Sequence, residues 1–295
     1  MKEIVIISGK GGTGKTSVTA AFAVLGGSSI VVADCDVDAA DMHLLLQPVV
    51  KKEEDFYSGF GAVIDYNKCV SCGLCANICR YHALSWEDGK YKVSGLACEG
   101  CGYCARVCPS EAISMVELNV GKLFISDTKV DSIMVHARLR SGADNSGKLV
   151  AKVKQEARQI AEATAKEFVV VDGSPGIGCP VVSSLSGADF VVLVTEPTVS
   201  GLHDLKRVSE LVAKFHIPAG CIINKADINH AVTQKVESFL SQNNIVHIGN
   251  LPYDETFTKA MTIGQTIIEY QDEDLAALLK ANWEQIKQLS TKERT

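Results

Sequence analysis

The 295 residues hold no run of about 18 consecutive apolar side chains, so no helix is expected to span a bilayer. Positive charge is not in excess. Lys and Arg number 29 against 35 Asp and Glu, a net charge of −6, which argues against the basic footprint of a nucleic-acid binder. Residues 1–8 are too short for a signal peptide before the next motif begins, and read as a first strand. The seven histidines stand singly, with no paired ligand spacing. The 274–289 stretch is apolar at Leu275, Leu278, Leu279, Trp283, Ile286 and Leu289. It lacks the basic face that anionic lipid attracts, because Asp272, Glu273, Asp274 and Glu284 dilute it. A final helix packed on a sheet is the expectation. These absences point to a cytoplasmic protein with no nucleic-acid and no membrane partner.

Cysteine, by contrast, is abundant. Eight of eleven fall in two runs, Cys69, Cys72, Cys75, Cys79 and Cys98, Cys101, Cys104, Cys108, the second followed by Pro109. Both read C-x2-C-x2-C-x3-C, the spacing by which bacterial ferredoxins hold [4Fe-4S] clusters. Disulfides are disfavoured by the spacing and the missing export signal, and zinc by the third and fourth cysteines of each run. In two-cluster ferredoxins the fourth cysteine of a run serves the other cluster. The expected ligand sets are therefore Cys69, Cys72, Cys75 with Cys108, and Cys98, Cys101, Cys104 with Cys79. Arg80 stands where the first run would carry its proline.

The chain opens with Gly9-Lys10-Gly11-Gly12-Thr13-Gly14-Lys15-Thr16, a complete G-x-x-x-x-G-K-T phosphate-binding loop. Glycine lets backbone N–H groups converge on a phosphate. Gly11, Gly12, Thr13 and Gly14 form the cradle, Lys15 is expected at the β- and γ-phosphates, and the Thr16 hydroxyl at Mg2+, with Ser17 beside it. A helix beginning near Lys15 adds its positive end.

Short β-branched runs alternate with helical stretches, the pattern of an α/β fold whose mostly parallel sheet is covered on both faces. Strands are expected over 4–8, 30–33, 168–172, 190–195, 220–224 and 245–249, and helices over 150–166, 201–215 and 231–242. Between about 59 and 118 the alternation stops and Cys, Gly and turn residues dominate. The expected division is a nucleotide domain over 1–58 and 119–295, interrupted by a small ferredoxin-like α+β domain over 59–118. Residues 114–125 and 132–137 alternate like antiparallel strands at the return.

With Lys10 as a second lysine in the loop, the chain resembles the MinD/ParA/Mrp superfamily of deviant P-loop ATPases, which includes the Mrp-type iron–sulfur carriers and the nitrogenase iron protein. The resemblance implies an ATP-sandwich homodimer in which Lys10 reaches the partner's nucleotide. It implies that Asp36, in Asp34-Cys35-Asp36-Val37-Asp38, orients the attacking water, whereas Asp34 and Asp38 serve as strand-end or cap residues. Asp172, in Val171-Asp172-Gly173-Ser174-Pro175-Gly176, would hold Mg2+ through water, and the Gly176 N–H would follow the γ-phosphate. Asn224 would contact adenine with Pro252 beside the base. Asp227, completing Asn224-Lys225-Ala226-Asp227, leaves GTP open as an alternative. Cys179 matches a bridging-cluster cysteine of the nitrogenase iron protein, but the 141–147 segment that would supply the second ligand has none. A small buried residue is the favoured reading for Cys179, and core positions for Cys35 and Cys221. His203 is expected to serve a helix start rather than catalysis.

The expected cofactors are two [4Fe-4S] clusters, ATP and Mg2+. The expected activity is ATP hydrolysis that switches a dimer and gates electron transfer to a redox acceptor. The alternatives are an ATP-dependent carrier delivering iron–sulfur or mixed-metal cofactors to an apo-metalloprotein client, and a positioning ATPase of the MinD or ParA kind.

Overall fold

The computed structural model describes residues 1–37, 40–140, 142, 146–270 and 273–292. Asp38, Asp272 and most of the 141–147 segment lie outside the described residues.

Seven strands carry the nucleotide unit: β1 (Lys2–Ile7), β2 (Ile30–Asp34), β7 (Ile133–Leu139), β8 (Phe168–Asp172), β9 (Phe190–Thr195), β10 (Ala219–Ile223) and β11 (Val246–Asn250). Two long strands, β3 (Val49–Ile64) and β6 (Ile113–Asp127), complete a sheet of order β11-β10-β9-β1-β8-β2-β7-β6-β3. Every pairing from β11 to β7 is parallel. β2, β8 and β9 are buried along their whole length, which is why they read as unbroken apolar runs rather than alternating ones. After β1 the chain crosses to β2, returns to β8, and then leaves on the other side at β9. Such a reversal opens a crevice at the carboxyl ends of the strands, where α/β sheets bind ligands.

Helices α1 (Lys15–Gly26), α5 (Ser146–Ala163), α7 (Val199–Lys214), α8 (His230–Gln242) and α10 (Glu273–Thr291) accompany this sheet. Shorter helices are α2 (Met42–Leu46), α6 (Cys179–Leu185) and α9 (Thr256–Thr262). The C-terminal α10 buries Leu275, Leu279, Trp283 and Ile286, and Trp283 stacks on Phe22 of α1 with ring centroids 5.3 Å apart. That face is spent on the core. Among the described residues, no helix is long and apolar enough to cross a membrane.

The chain divides into two compact units, Met1–Glu54 with Leu123–Arg138 and Ser146–Thr295, and Asp55–Lys122 with Leu139–Asn145. The second unit contains two five-residue helices, α3 (Leu74–Ile78) and α4 (Tyr103–Val107), and a hairpin of β4 (Leu84–Glu87) and β5 (Lys90–Val93). Asp88 and Gly89 turn the hairpin with φ of 52° and 77°, the two positive values that suit the twist of a tight two-residue turn. Its hydrophobic cluster of buried residues comprises only Ala62, Ile64 and Ile113, against which five cysteines pack.

β7 joins the main sheet, parallel to β2, and β6 precedes it through a short turn. β3 was absent from the expected strands. Most of its first nine residues face water, so it offers no apolar periodicity, and its Lys51-Lys52-Glu53-Glu54-Asp55 run reads as loop.

Candidate functional site

β1 ends at Ile7 and α1 begins at Lys15, so the loop spans 8–14 between a buried strand and a helix N-terminus. Gly12 and Gly14 take φ of 78° and 89°. A Cβ on Gly14 would lie 2.3 Å from Nδ2 of Asn224, so only glycine admits that side chain. Asn224 Nδ2 donates to the Thr13 carbonyl at 2.8 Å, pinning the end of β10 to the loop. The Lys225 ammonium adds a bond to the Gly12 carbonyl at 3.3 Å.

Lys15 is the hub. Its Nζ lies 2.8 Å from Asp172 Oδ1 and 3.5 Å from Asp36 Oδ2. Burial works against its charge, but Asp172, Asp36 and Asp34 outweigh that and raise its pKa, so it stays an ammonium. Asp172 also accepts from the Thr16 hydroxyl at 2.8 Å and the Thr19 hydroxyl at 3.0 Å. Thr16 and Asp172 are therefore within reach of one hydrated cation. Asp34 is fully buried, and burial followed by repulsion from Asp172 pushes its carboxyl well above the usual range. Its Oδ1 accepts the Asp36 N–H at 3.2 Å. Asp36 thus sits on a backbone fixed from the strand end.

The turn after β8 is stitched to β1: the Gly173 N–H donates to the Ile6 carbonyl and the Gly176 N–H to the Ser8 carbonyl, each at 2.8 Å. Gly176 here spends its donor on the chain itself. The Ser174 hydroxyl donates to the Cys35 carbonyl at 2.9 Å, joining this turn to the end of β2. Lys10 also bonds within its own chain, 2.7 Å from Glu196 Oε1, with Ser200 Oγ at 3.0 Å. Glu196 pairs on its other oxygen with Lys225 at 3.0 Å. Burial raises the Glu196 pKa, but the two lysines prevail and hold it below the ordinary glutamate value.

Beside the loop lies a cleft of about 600 Å³ whose lining includes Asp36, Ser17, Asn224, Pro252, Tyr253 and Phe257. Asp227 does not line it. Its carboxylate accepts the Tyr253 N–H at 2.6 Å. Sequence reasoning missed Thr19, Glu196 and Lys225. Thr19 is four residues after Lys15, hence on the same helix face, a usable signal. Glu196 and Lys225 follow the ends of β9 and β10, and their pairing exists only in the folded chain.

The eight clustered cysteines border two cavities of the second unit. One is walled by Cys69, Cys72, Cys75 and Cys108. The other is walled by Cys98, Cys101, Cys104 and Cys79. In each, the fourth cysteine comes from the opposite run. The Ala83 N–H donates to Cys79 Sγ at 3.4 Å and the Ala112 N–H to Cys108 Sγ at 3.3 Å, donors that suit thiolates. Burial, the largest influence on Cys108, raises its pKa, yet the Ala112 N–H and donors at Ser110 and Ile113 bring it below the ordinary thiol value. Among the described residues, no group of three or more His, Cys, Asp or Glu is arranged to hold a metal ion. The thiols border open space of about 20 Å³ at Cys69, Cys72, Cys75 and Cys108 and about 320 Å³ at Cys79, Cys98, Cys101 and Cys104.

Cys179 is exposed, contrary to the buried position expected. Extended Gly178 and Pro180 start α6 there, which leaves Cys179 on an outer first turn. Cys35 and Cys221 are buried, and burial drives both thiols up. His203 does not start α7. Thr198 does, its hydroxyl accepting the Gly201 N–H at 2.9 Å, while His203 lies exposed beyond it.

Residues 4–267 match the CobQ/CobB/MinD/ParA nucleotide binding domain. The uncharacterized protein MJ0578 of Methanocaldococcus jannaschii is 34% identical over 77% of this chain and 79% of its own length. MJ0579 of the same organism is 27% identical over 92% and 94%. Among solved structures, the septum site-determining protein MinD with Mg-ADP from Pyrococcus horikoshii aligns with a TM-score of 0.58 at 18% identity, covering 98% of this chain and 97% of that one. An McdA–ATP complex from Cyanothece aligns with a TM-score of 0.58 at 13% identity, covering 100% and 98%. At these identities the two structures share its fold.

Proposed function

The chain belongs to the CobQ/CobB/MinD/ParA nucleotide-binding family, and from that footing we propose that it hydrolyses ATP to gate electron transfer from two [4Fe-4S] clusters to a partner protein. The observation that carries this proposal is the pair of cavities, each walled by four cysteines, in the same chain as a lysine–aspartate–threonine phosphate site. The small apolar core of the second unit supports it. A unit so small commonly needs a metal, disulfide or equivalent staple to hold its fold.

In the nucleotide site, Lys15 neutralises the β- and γ-phosphates, Thr16 and Asp172 share Mg2+, and Asp36 orients the attacking water. Lys15 pairs with Asp172 and Asp36, which hold its ammonium at the head of the loop. Asn224 and Pro252 meet the base. Adenine is preferred because Asp227, the residue that would read guanine, is committed to the Tyr253 backbone. Lys10 exchanges Glu196 for the nucleotide of a second copy in a homodimer. Each cluster, when bound in the 59–118 insert, supplies one-electron chemistry. A coupling of ~1–3 kcal/mol between nucleotide and partner binding suffices for gating.

The test is electron transfer from anaerobically reconstituted protein to an acceptor, with Lys15→Ala beside the wild type. ATP-stimulated transfer lost in the variant is expected. Equal rates in both overturn the gating. The carrier alternative has one observation in its favour, the exposed Cys179 at the start of α6. Iron beyond ~8 atoms per chain, released to an apo-protein on ATP addition, would establish it.

A further inference from the structure

β3 is the last strand on its side of the sheet, paired with β6 along one edge and, among the described residues, with no strand along the other. An open edge is a row of unpaired N–H and C=O groups, ready to template a further strand. The outer part of β3 reads Val49-Val50-Lys51-Lys52-Glu53-Glu54-Asp55-Phe56-Tyr57. The order is apolar, basic, acidic, aromatic, so the segment run backwards complements itself. Val49, Val50 and Tyr57, which flank the charges, are 63%, 47% and 53% exposed. Lys51 and Lys52 each meet a carboxylate of their own chain, Asp127 Oδ2 at 3.1 Å and Glu54, yet both lysine side chains stay more than half exposed. Lysines alone on an edge would repel a second copy, a common protection against pairing. The three carboxylates that follow them reverse that effect.

We infer that β3 pairs antiparallel with β3 of a second copy about a two-fold axis, independently of nucleotide and of bound clusters. The register follows from symmetry. Side chains alternate between the faces of a sheet, and a two-fold axis perpendicular to the sheet keeps each face on its own side. Residues directly opposite must share a face, so one residue lies on the axis, opposite its own copy. With Glu53 there, Lys51 opposes Asp55, Lys52 opposes Glu54, Val50 opposes Phe56 and Val49 opposes Tyr57, each pair occurring twice. An axis at Lys52 would set Val50 against Glu54 and Val49 against Asp55. An axis at Glu54 would set Glu53 against Asp55 and Lys52 against Phe56. Opposite charges, and aromatic against β-branched side chains, are the cross-strand pairs that stabilise antiparallel strands. The unfavourable contact in the chosen register is Glu53 against its copy. β1, which leads into the Lys10 loop, lies inside the sheet, so this edge is a different surface from the one Lys10 would use in an ATP sandwich.

The experiment is sedimentation velocity on the full chain without nucleotide, over a concentration series. The wild type is expected to form a dimer that weakens at high salt. Lys51→Glu/Lys52→Glu and Glu54→Lys/Asp55→Lys each set like charges in every charge pair, and each variant alone is expected to dimerise about tenfold more weakly. Mixing the two variants restores every charge pair. A heterodimer of about wild-type affinity is expected, which damage to the fold would not produce. Glu53→Gln removes the repulsive contact on the axis and is expected to tighten dimerisation several-fold. In the wild type, hydrogen exchange within 49–57 should slow as concentration rises, a readout that needs no variant. Wild-type protein that stays monomeric, a dimer whose 49–57 amides exchange as in the monomer, or a mixture that associates no better than either variant alone overturns the inference. A dimer that forms only with Mg-ATP and is lost in Lys10→Ala belongs to the nucleotide sandwich. It would overturn this inference and leave the proposed function standing.

Discussion

The nucleotide unit and the cysteine unit solve the same problem by opposite means. The first buries entire strands, with Trp283 stacked on Phe22 and meeting Phe168 of β8 edge-on, so its site hangs on an extensive apolar core. The second has a buried cluster of two isoleucines and an alanine, against which five cysteines pack beside Leu84, Tyr91, Val93, Ala105 and Met115. On the two-cluster reading, the groups bound among those thiols supply much of its order. A fold held by apolar area should ignore metal, and one held by thiolates should not.

Removing iron is the most severe way to break that contrast. Chelation is expected to abolish amide-exchange protection in β4, β5, α3 and α4, while β1, β8 and β9 keep theirs. Hydrogen exchange with mass spectrometry reads both units in one sample. Uniform protection in the metal-free chain would show that the second unit needs no staple.

Trp283→Ala attacks the other side. It empties an aromatic site that is 2% exposed, and a loss of ~3–5 kcal/mol in the denaturant stability of the nucleotide unit is expected. Absorbance of the iron-loaded second unit should be unchanged. A loss of both together would mean that the two units do not stabilise independently.

Acid sharpens the comparison further. Burial, then His43 and Arg138, lower the His136 pKa from 6.5 to about 4. The folded state therefore binds the proton less readily than the unfolded chain. His136 contributes stability that is present above pH ~6.5 and is lost as pH falls towards 4. Replacing it with Gln should flatten the stability–pH curve of the nucleotide unit in that window, measured by urea unfolding at several pH values.

The smallest effect lies in the hairpin. Gly89 has φ of 77°, so Gly89→Ala should cost the second unit ~1 kcal/mol, visible only in the iron-free chain if iron dominates its stability.

Legibility followed the same division. β8 and β9 could be read to the residue, because strands buried on both faces are continuously apolar. β3 could not, since its outer half faces water and carries charge. α6 and α9 escaped because seven residues are too few for a helical period to emerge. The Asp88-Gly89 pair was a visible hairpin signal between Trp86 and Tyr91, obscured by the cysteines around it. In the site, Lys15, Thr16 and Asp172 carry their chemistry in local motifs and meet in space. The engagement of Lys10 and Lys225 with Glu196 had no local signature, because it depends on how β9 and β10 end beside the loop.

The most direct test of coupling is the electron paramagnetic resonance spectrum of dithionite-reduced, iron-loaded protein with and without Mg-ATP. Coupling predicts a spectrum and midpoint potential that change on Mg-ATP addition in the wild type and stay fixed in Lys15→Ala. Iron-loaded wild-type protein that binds Mg-ATP yet gives superimposable spectra and equal potentials would contradict it.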